Sequence, residues 1–171
     1  MARIQKLLDG ASHAALALYA GGGTAFFLFA RTLFDAMPAI SAHPRYDAGE
    51  VIGPIVSVAN AAEISAGLLA FVAAWARRRS TATPRRNYAI LAVALLLMAL
   101  ALFERLGILP EIQTLRVAVG RAGFDGDAMS PERRRFGMLH GISNLCQLTG
   151  VAFAWLALLL ERFLPRYRTV T

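Results

Sequence analysis

Residues 130–164 read SPERRRFGMLHGISNLCQLTGVAFAWLALLLERFL, and this stretch decides how the remaining chain is understood. Ser130 is placed to cap a helix. Pro131 takes the first helical position, where its missing N–H is no loss, and Glu132 favours the positive end of the helix dipole. Between residues 136 and 160 no acidic or basic side chain intervenes except the titratable His140. At 1.5 Å per residue that run exceeds the ~20 residues needed to cross ~30 Å of hydrocarbon. The spacing predicts a membrane-spanning helix over 136–162.

That helix is not uniformly apolar. At about 100° per residue, Phe136, His140, Ser143, Gln147, Gly150 and Ala154 share one stripe, with Asn144 at its edge. Leu139, Ile142, Leu148, Val151, Trp155 and Leu159 occupy the other faces. A polar side chain facing lipid tails is costly, so the stripe is expected to face other helices or a wet cavity. Two readings stay open: interhelical hydrogen bonding at about 0.6 kcal/mol each, or a ligand or proton site containing His140.

The whole chain of 171 residues is 57 % hydrophobic and 17 % charged, against about 45–50 % and ~25 % for soluble domains. One membrane domain over 1–171 is expected. Its net charge of +7 rests almost wholly on arginine, Lys6 being the lysine. The arginines flank apolar segments, which points to topology rather than nucleic acid. The single cysteine, Cys146, excludes an intramolecular disulfide and a cysteine metal cluster.

Residues 11–36 form the first predicted span, uncleaved, because apolar residues continue through Phe29 beyond the ~7–15 of a signal-peptide core. Gly21, Gly22 and Gly23 have no preceding strand and no Lys-Ser/Thr after them, so they suit close helix approach or a kink rather than phosphate. Arg31 and Asp35 form an (i, i+4) pair, and Pro38 ends the helix. His43 among Asp47 and Glu50 is expected to lie in a solvated loop. The second span covers 51–76. Gly53, Ser57, Asn60 and Gly67 make a small and polar stripe, and Glu63 stands beside it near mid-membrane. An intramembrane carboxylate is a functional hypothesis by default; the alternative is a hydrogen-bonded glutamate that fixes register.

Arg77, Arg78, Arg79, Arg85 and Arg86 make a short basic turn around Pro84, expected to face lipid headgroups. The third span is 87–108, with Glu104 and Arg105 at the membrane interface. Residues 111–122 continue it beyond the membrane, kinked at Pro110, and Gly123, Asp125 and Gly126 turn the chain back. The fold class is therefore all-α, a four-transmembrane-helix bundle with helices three and four extending beyond the outer side. Ten Lys/Arg lie with the N-terminus, the basic turn and the C-terminus, against eight on the opposite side. Both termini are then expected in the cytoplasm, in a bacterial inner membrane.

Leu109-Pro110, Leu115-Arg116, Arg135-Phe136, Leu139-His140-Gly141 and Ser143-Asn144 resemble the transmembrane-protein-205-like family, a four-helix membrane domain of uncharacterised function. Phe29, Leu33-Phe34 and Pro38 resemble it more loosely, and Ser57 and Val58 stand where the family has an aromatic pair. The resemblance implies location and helix count, hints at the handling of metals or toxic solutes, and brings no catalytic residue.

Arg31, Asn60, Glu63, His140, Ser143, Asn144 and Gln147 are the candidate polar pocket of a solute- or metal-handling protein. The alternative is a non-catalytic scaffold subunit packing on larger membrane partners. Expected partners are the bilayer, anionic lipid headgroups and either a second copy or another membrane protein, with no nucleic acid. No metal site, cofactor or enzyme motif is expected: His13 and His140 sit at opposite ends of their helices, which rules out a bis-histidine haem, and no Ser-His-Asp set or nucleotide loop occurs.

Overall fold

The computed structural model describes residues 2–77, 84–125 and 130–163. Three of the helices open on proline at their first position: α2 (Pro44–Arg77), α3 (Pro84–Phe103) and α5 (Pro131–Phe163). Proline loses nothing there and fixes a helical φ. Ser130 caps α5 as its sequence suggests, its Oγ accepting the Arg133 N–H at 3.2 Å. α1 (Ala2–Ala36) ends in the 3₁₀ turn Met37–Ala39, which holds Pro38. The solvated loop expected around His43 is shorter than anticipated. Ser41 donates to Asp47 Oδ2 at 2.6 Å and accepts the His43 N–H, so α2 is already winding at Pro44 and Asp47 and Glu50 are helical.

Between α3 and α4 (Leu109–Asp125) the helix widens into a single π turn, Glu104–Ile108, in which the Leu109 N–H reaches the Glu104 carbonyl five residues back. The wider turn comes immediately before Pro110, whose ring and missing N–H would otherwise disrupt an α-helical register. α3, this turn and α4 make one rod. The rod breaks near its end at Gly120, with φ +64°, the only positive φ among the described residues; glycine takes that conformation without a Cβ clash. Beyond the break Phe124 packs edge-on against Phe136 and Tyr46, at ring distances of 4.8 and 5.9 Å.

Among the described residues four helices are long and apolar enough to cross a membrane: Arg3–Ala39, Pro44–Arg77, Arg85–Phe124 and Pro131–Phe163. They pack in a square, α1 on α2, α2 on α3, α3 on α5 and α5 on α1, with α4 lying on α5 and more lightly on α2. The core is built from small residues: Ala20, Ala66, Ala70, Ala94, Ala154 and Ala157 with Leu16, Leu97 and Leu158. Small side chains let helix backbones approach closely. A Cβ on Gly67 would meet Met98 Cγ at 2.9 Å, and one on Gly23 would collide with Val151. Gly21 and Gly22 face open space, so of the glycine triplet only Gly23 makes the expected close approach.

The polarity runs opposite to that of a water-soluble bundle. Glu63, Glu104, Asn60, Asn87 and Ser12 are among the most buried side chains. Leu18, Val58, Leu106, Val117 and Leu145 are each more than 60 % exposed. Ser57 is also exposed, so the inward face of α2 runs through Ile52, Asn60, Glu63, Ala66 and Gly67 instead of through Ser57.

Candidate functional site

The two ends of the bundle differ. At one end α1, α2, α4 and α5 part around a cavity of about 740 Å³. Phe26, Phe27, Phe34, Tyr46, Phe124 and Phe136 supply aromatic wall, and Leu109, Ile112 and Leu148 aliphatic wall. Arg31, Arg45, Arg116, Arg133, Gln113, His140, Ser143 and Asn144 also line it.

Arg116 is the fixed point of this end. It comes from α4 and is 92 % buried, relative exposure being 8 %. Its guanidinium donates to the Gly49 carbonyl at 3.2 Å, to the Tyr46 carbonyl at 3.1 Å and to the Glu50 carboxylate. It also lies over the Tyr46 ring, 4.7 Å from the centroid. A planar fork of donors suits this simultaneous engagement in a way an ammonium does not. A Cβ at Gly49 would sit 3.6 Å from the guanidinium carbon, in ordinary van der Waals contact. Arg121 reinforces the join, reaching Asp47 at 3.8 Å, and Arg135 pairs with Glu111 across α4 and α5.

Beneath the cavity is a buried polar core centred on Glu104, which sits in the first position of the π turn. It is fully buried. The helical face Ile90, Ala94, Leu97, Ala101, Glu104, Ile108 points inward throughout, and Glu104 follows that register. Three donors converge on its carboxylate. Ser143 and Gln147 of α5 both donate to Oε1, Gln147 at 2.9 Å, and Asn60 of α2 donates to Oε2 at 3.3 Å and to the Ala101 carbonyl at 3.0 Å. Ser143 belongs to both places, bonding Glu104 while lining the cavity.

Glu63 lies one level further on. Its Oε1 is buried and makes no hydrogen bond among the described residues. It and the Tyr19 hydroxyl press against the bare backbone of Gly150, where a Cβ would collide with Glu63 Oε1 and come within 2.6 Å of Tyr19. Neither glutamate takes part in an ion pair among the described residues.

The seven residues expected in one pocket therefore separate. Arg31, His140, Ser143 and Asn144 line the cavity, whereas Asn60, Glu63 and Gln147 lie in the packed interior. The stripe on α5 explains the division. Its first two turns face the open end, and its later positions face the point where all four helices close.

The opposite end holds a compact ion cluster. Arg77 Nη1 is 3.0 Å from Asp9 and its Nη2 3.6 Å from Glu161, and His13 Nδ1 is 2.9 Å from Glu161 Oε2. Asn87 donates to the Arg77 carbonyl at 3.0 Å, satisfying the end of α2. The expectation of a lipid-facing basic turn is corrected at Arg77 and Arg86, both of whose side chains are nearly buried. Carboxylates from α1 and α5 end at the level of Arg77 and turn it inward. Arg85 is exposed; Arg78 and Arg79 lie outside the described residues. Among the described residues no group of three His, Cys, Asp or Glu could hold a metal ion.

Residues missed from sequence are Glu104, Tyr19, Tyr46 and Arg116. The register of α3 marks Glu104, since it continues an uninterrupted inward face. Nothing local marks Arg116, whose partners lie 66 to 70 residues away. No family model, curated protein or solved structure matches the chain.

Proposed function

We propose that this chain is a four-span integral membrane protein that takes a solute into the cavity between α1, α2, α4 and α5. The membrane follows from the outward apolar surface. Large side chains such as Leu18 and Leu145 are more exposed than most in a soluble monomer tolerates, and hydrocarbon solvates them without cost. In that setting Glu63 and Glu104 are inside because the outside is apolar. The bilayer is a bacterial inner membrane, with both termini and the Arg77 end on the cytoplasmic side, so the cavity opens to the exterior and α4 continues past the hydrocarbon. The resemblance to the transmembrane-protein-205-like family supports the same location, and solute, metal or toxic-compound handling as the same broad role.

One observation carries the solute reading: the polar stripe of α5, at His140, Ser143 and Asn144, opens into a cavity of about 740 Å³. That volume lies within the ~300–1,000 Å³ of small-molecule sites. A bundle needing these groups only for helix association would close over them.

Filling the cavity tests it. Gly53 points at Gln113 and Arg116 with no atom nearer than 3.7 Å to a Cβ, so Gly53→Phe projects a ring into the space. In a deletion strain screened against toxic ions and organic solutes, Gly53→Phe fails to restore resistance, whereas Leu145→Phe on the exposed face of α5 restores it. Full rescue by Gly53→Phe returns the protein to the scaffold reading.

A further inference from the structure

We infer that the ligand of this cavity is an amphipathic anion, a long acyl chain carrying one acidic head group. The inference deepens the solute reading above and rests on it. Among the described residues four arginines line the cavity and no aspartate or glutamate does. The carboxylates that balance this end, Asp35, Asp47, Glu50 and Glu111, all sit outside the lining. Guanidinium groups rather than their carboxylate partners face the space, and a low-dielectric wall strengthens their pull on an anion.

The arginines divide by how firmly they are held. Arg116 is pinned by two backbone carbonyls and Glu50, which fixes its guanidinium in the wall and pairs its charge with a carboxylate. Arg31 is 3.9 Å from Asp35, with side-chain exposures of 85 % and 76 %, a pair too loose and too wet to hold it. Arg45 is likewise exposed while lining the cavity. Arg31 and Arg45 therefore sit where the cavity opens and can close on a head group.

The shape favours a chain over a compact anion. Along α5 the lining runs from Arg133 to Leu148, about 22 Å at 1.5 Å per residue. Away from the arginines most of the wall down to Leu148 is aromatic and aliphatic, with Gln113, His140, Ser143 and Asn144 set among the apolar side chains. Inorganic phosphate or sulfate would leave that wall against water. An acyl chain covers it, and its carboxylate or phosphate head meets the arginines. Such a ligand comes either as a free fatty acid or as an anionic lipid of the surrounding bilayer.

The test uses the full chain in phosphatidylcholine nanodiscs, with cis-parinaric acid as a fluorescent probe. Saturable parinarate binding is expected, displaced by oleate at concentrations about ten-fold lower than by oleyl alcohol, which has the same chain and no charge; a factor of ten is a usual yield of one charge-assisted contact. Arg31→Gln with Arg45→Gln, both exposed positions that leave Arg116 in place, weakens oleate about ten-fold and leaves oleyl alcohol unchanged. Loss of parinarate binding in phosphatidylglycerol discs identifies the bilayer lipid as occupant, and retention identifies the free acid; both support the anion. Equal displacement by oleate and oleyl alcohol, or an unchanged double variant, overturns the anion while a Gly53→Phe-sensitive site survives. Parinarate binding that Gly53→Phe leaves intact, or no binding at all, overturns the site itself.

Discussion

Gly150 presents its bare backbone to the Glu63 carboxyl with no space between them for a side-chain carbon. In most helices Gly→Ala is stabilising by up to about 1 kcal/mol, because alanine has the higher helix propensity. Here the sign reverses. The added methyl displaces Glu63 Oε1 and the Tyr19 hydroxyl at the crossing of α1, α2 and α5, and overpacking of this kind costs about 1–3 kcal/mol. Gly141→Ala, on the same helix with nothing within 4 Å of its Cβ, is the control and is neutral or stabilising. Thermal unfolding of both variants in one detergent checks the difference. Equal melting temperatures would place Glu63 elsewhere.

Glu104 supports a graded prediction. Interhelical hydrogen bonds in membranes average only about 0.6 kcal/mol, whereas a buried donor left unmet costs about 1–3 kcal/mol. Glu104→Gln keeps the shape and one acceptor, so it loses about 1 kcal/mol. Glu104→Ala leaves Asn60, Ser143 and Gln147 without their shared acceptor and loses about 3 kcal/mol or more. Equilibrium unfolding in mixed micelles measures both. If alanine is tolerated as well as glutamine, the three donors are not converging on this carboxylate.

These two glutamates also mark what the sequence could disclose. The helix start at Pro131 and the four apolar runs were legible, because capping and hydropathy are local. The inward stripe of α5 was legible too, and Ser143, Gln147, Gly150 and Ala154 are all buried on it. The burial of Glu104 went unread because the apolar run ends beside it. Run length indicates where a membrane segment stops, whereas the continued spacing from Ala94 through Ala101 indicates that the face still points inward. The division of the expected pocket was not legible. Whether Asn60 meets a cavity or another side chain depends on how far α3 and α5 stand apart at that level, and no spacing within α2 encodes it. Arg116 was hidden for the same reason: its partners belong to α2.

The ion cluster at the other end predicts coupling between helices that are distant in sequence. Arg77 joins Asp9 of α1 and Glu161 of α5, and its side chain is only 11 % exposed. Contacting charges in one network show coupling of about 0.5–3 kcal/mol, and removing one member of a buried pair strands the other. A double-mutant cycle of Asp9→Ala and Arg77→Ala is expected to give about 1–2 kcal/mol. A cycle of Asp35→Ala and Arg77→Ala, joining opposite ends, gives none. Additive effects at Asp9 and Arg77 would mean that the pair is solvated after all.

The orientation yields the last prediction. Topology is set by Lys and Arg in short loops as the chain inserts, before any side chain finds its folded partner. The later burial of Arg77 and Arg86 therefore does not weaken their vote. Five arginines between residues 77 and 86 are the densest positive block in the chain, and retaining that turn in the cytoplasm carries both termini with it if four helices span. Alkaline phosphatase, active only after export, is expected to be inactive when fused at Thr83 and active when fused at Ser41, one span earlier. Activity at Thr83 would invert the protein, turn the cavity towards the cytoplasm and require its anion to come from inside the cell.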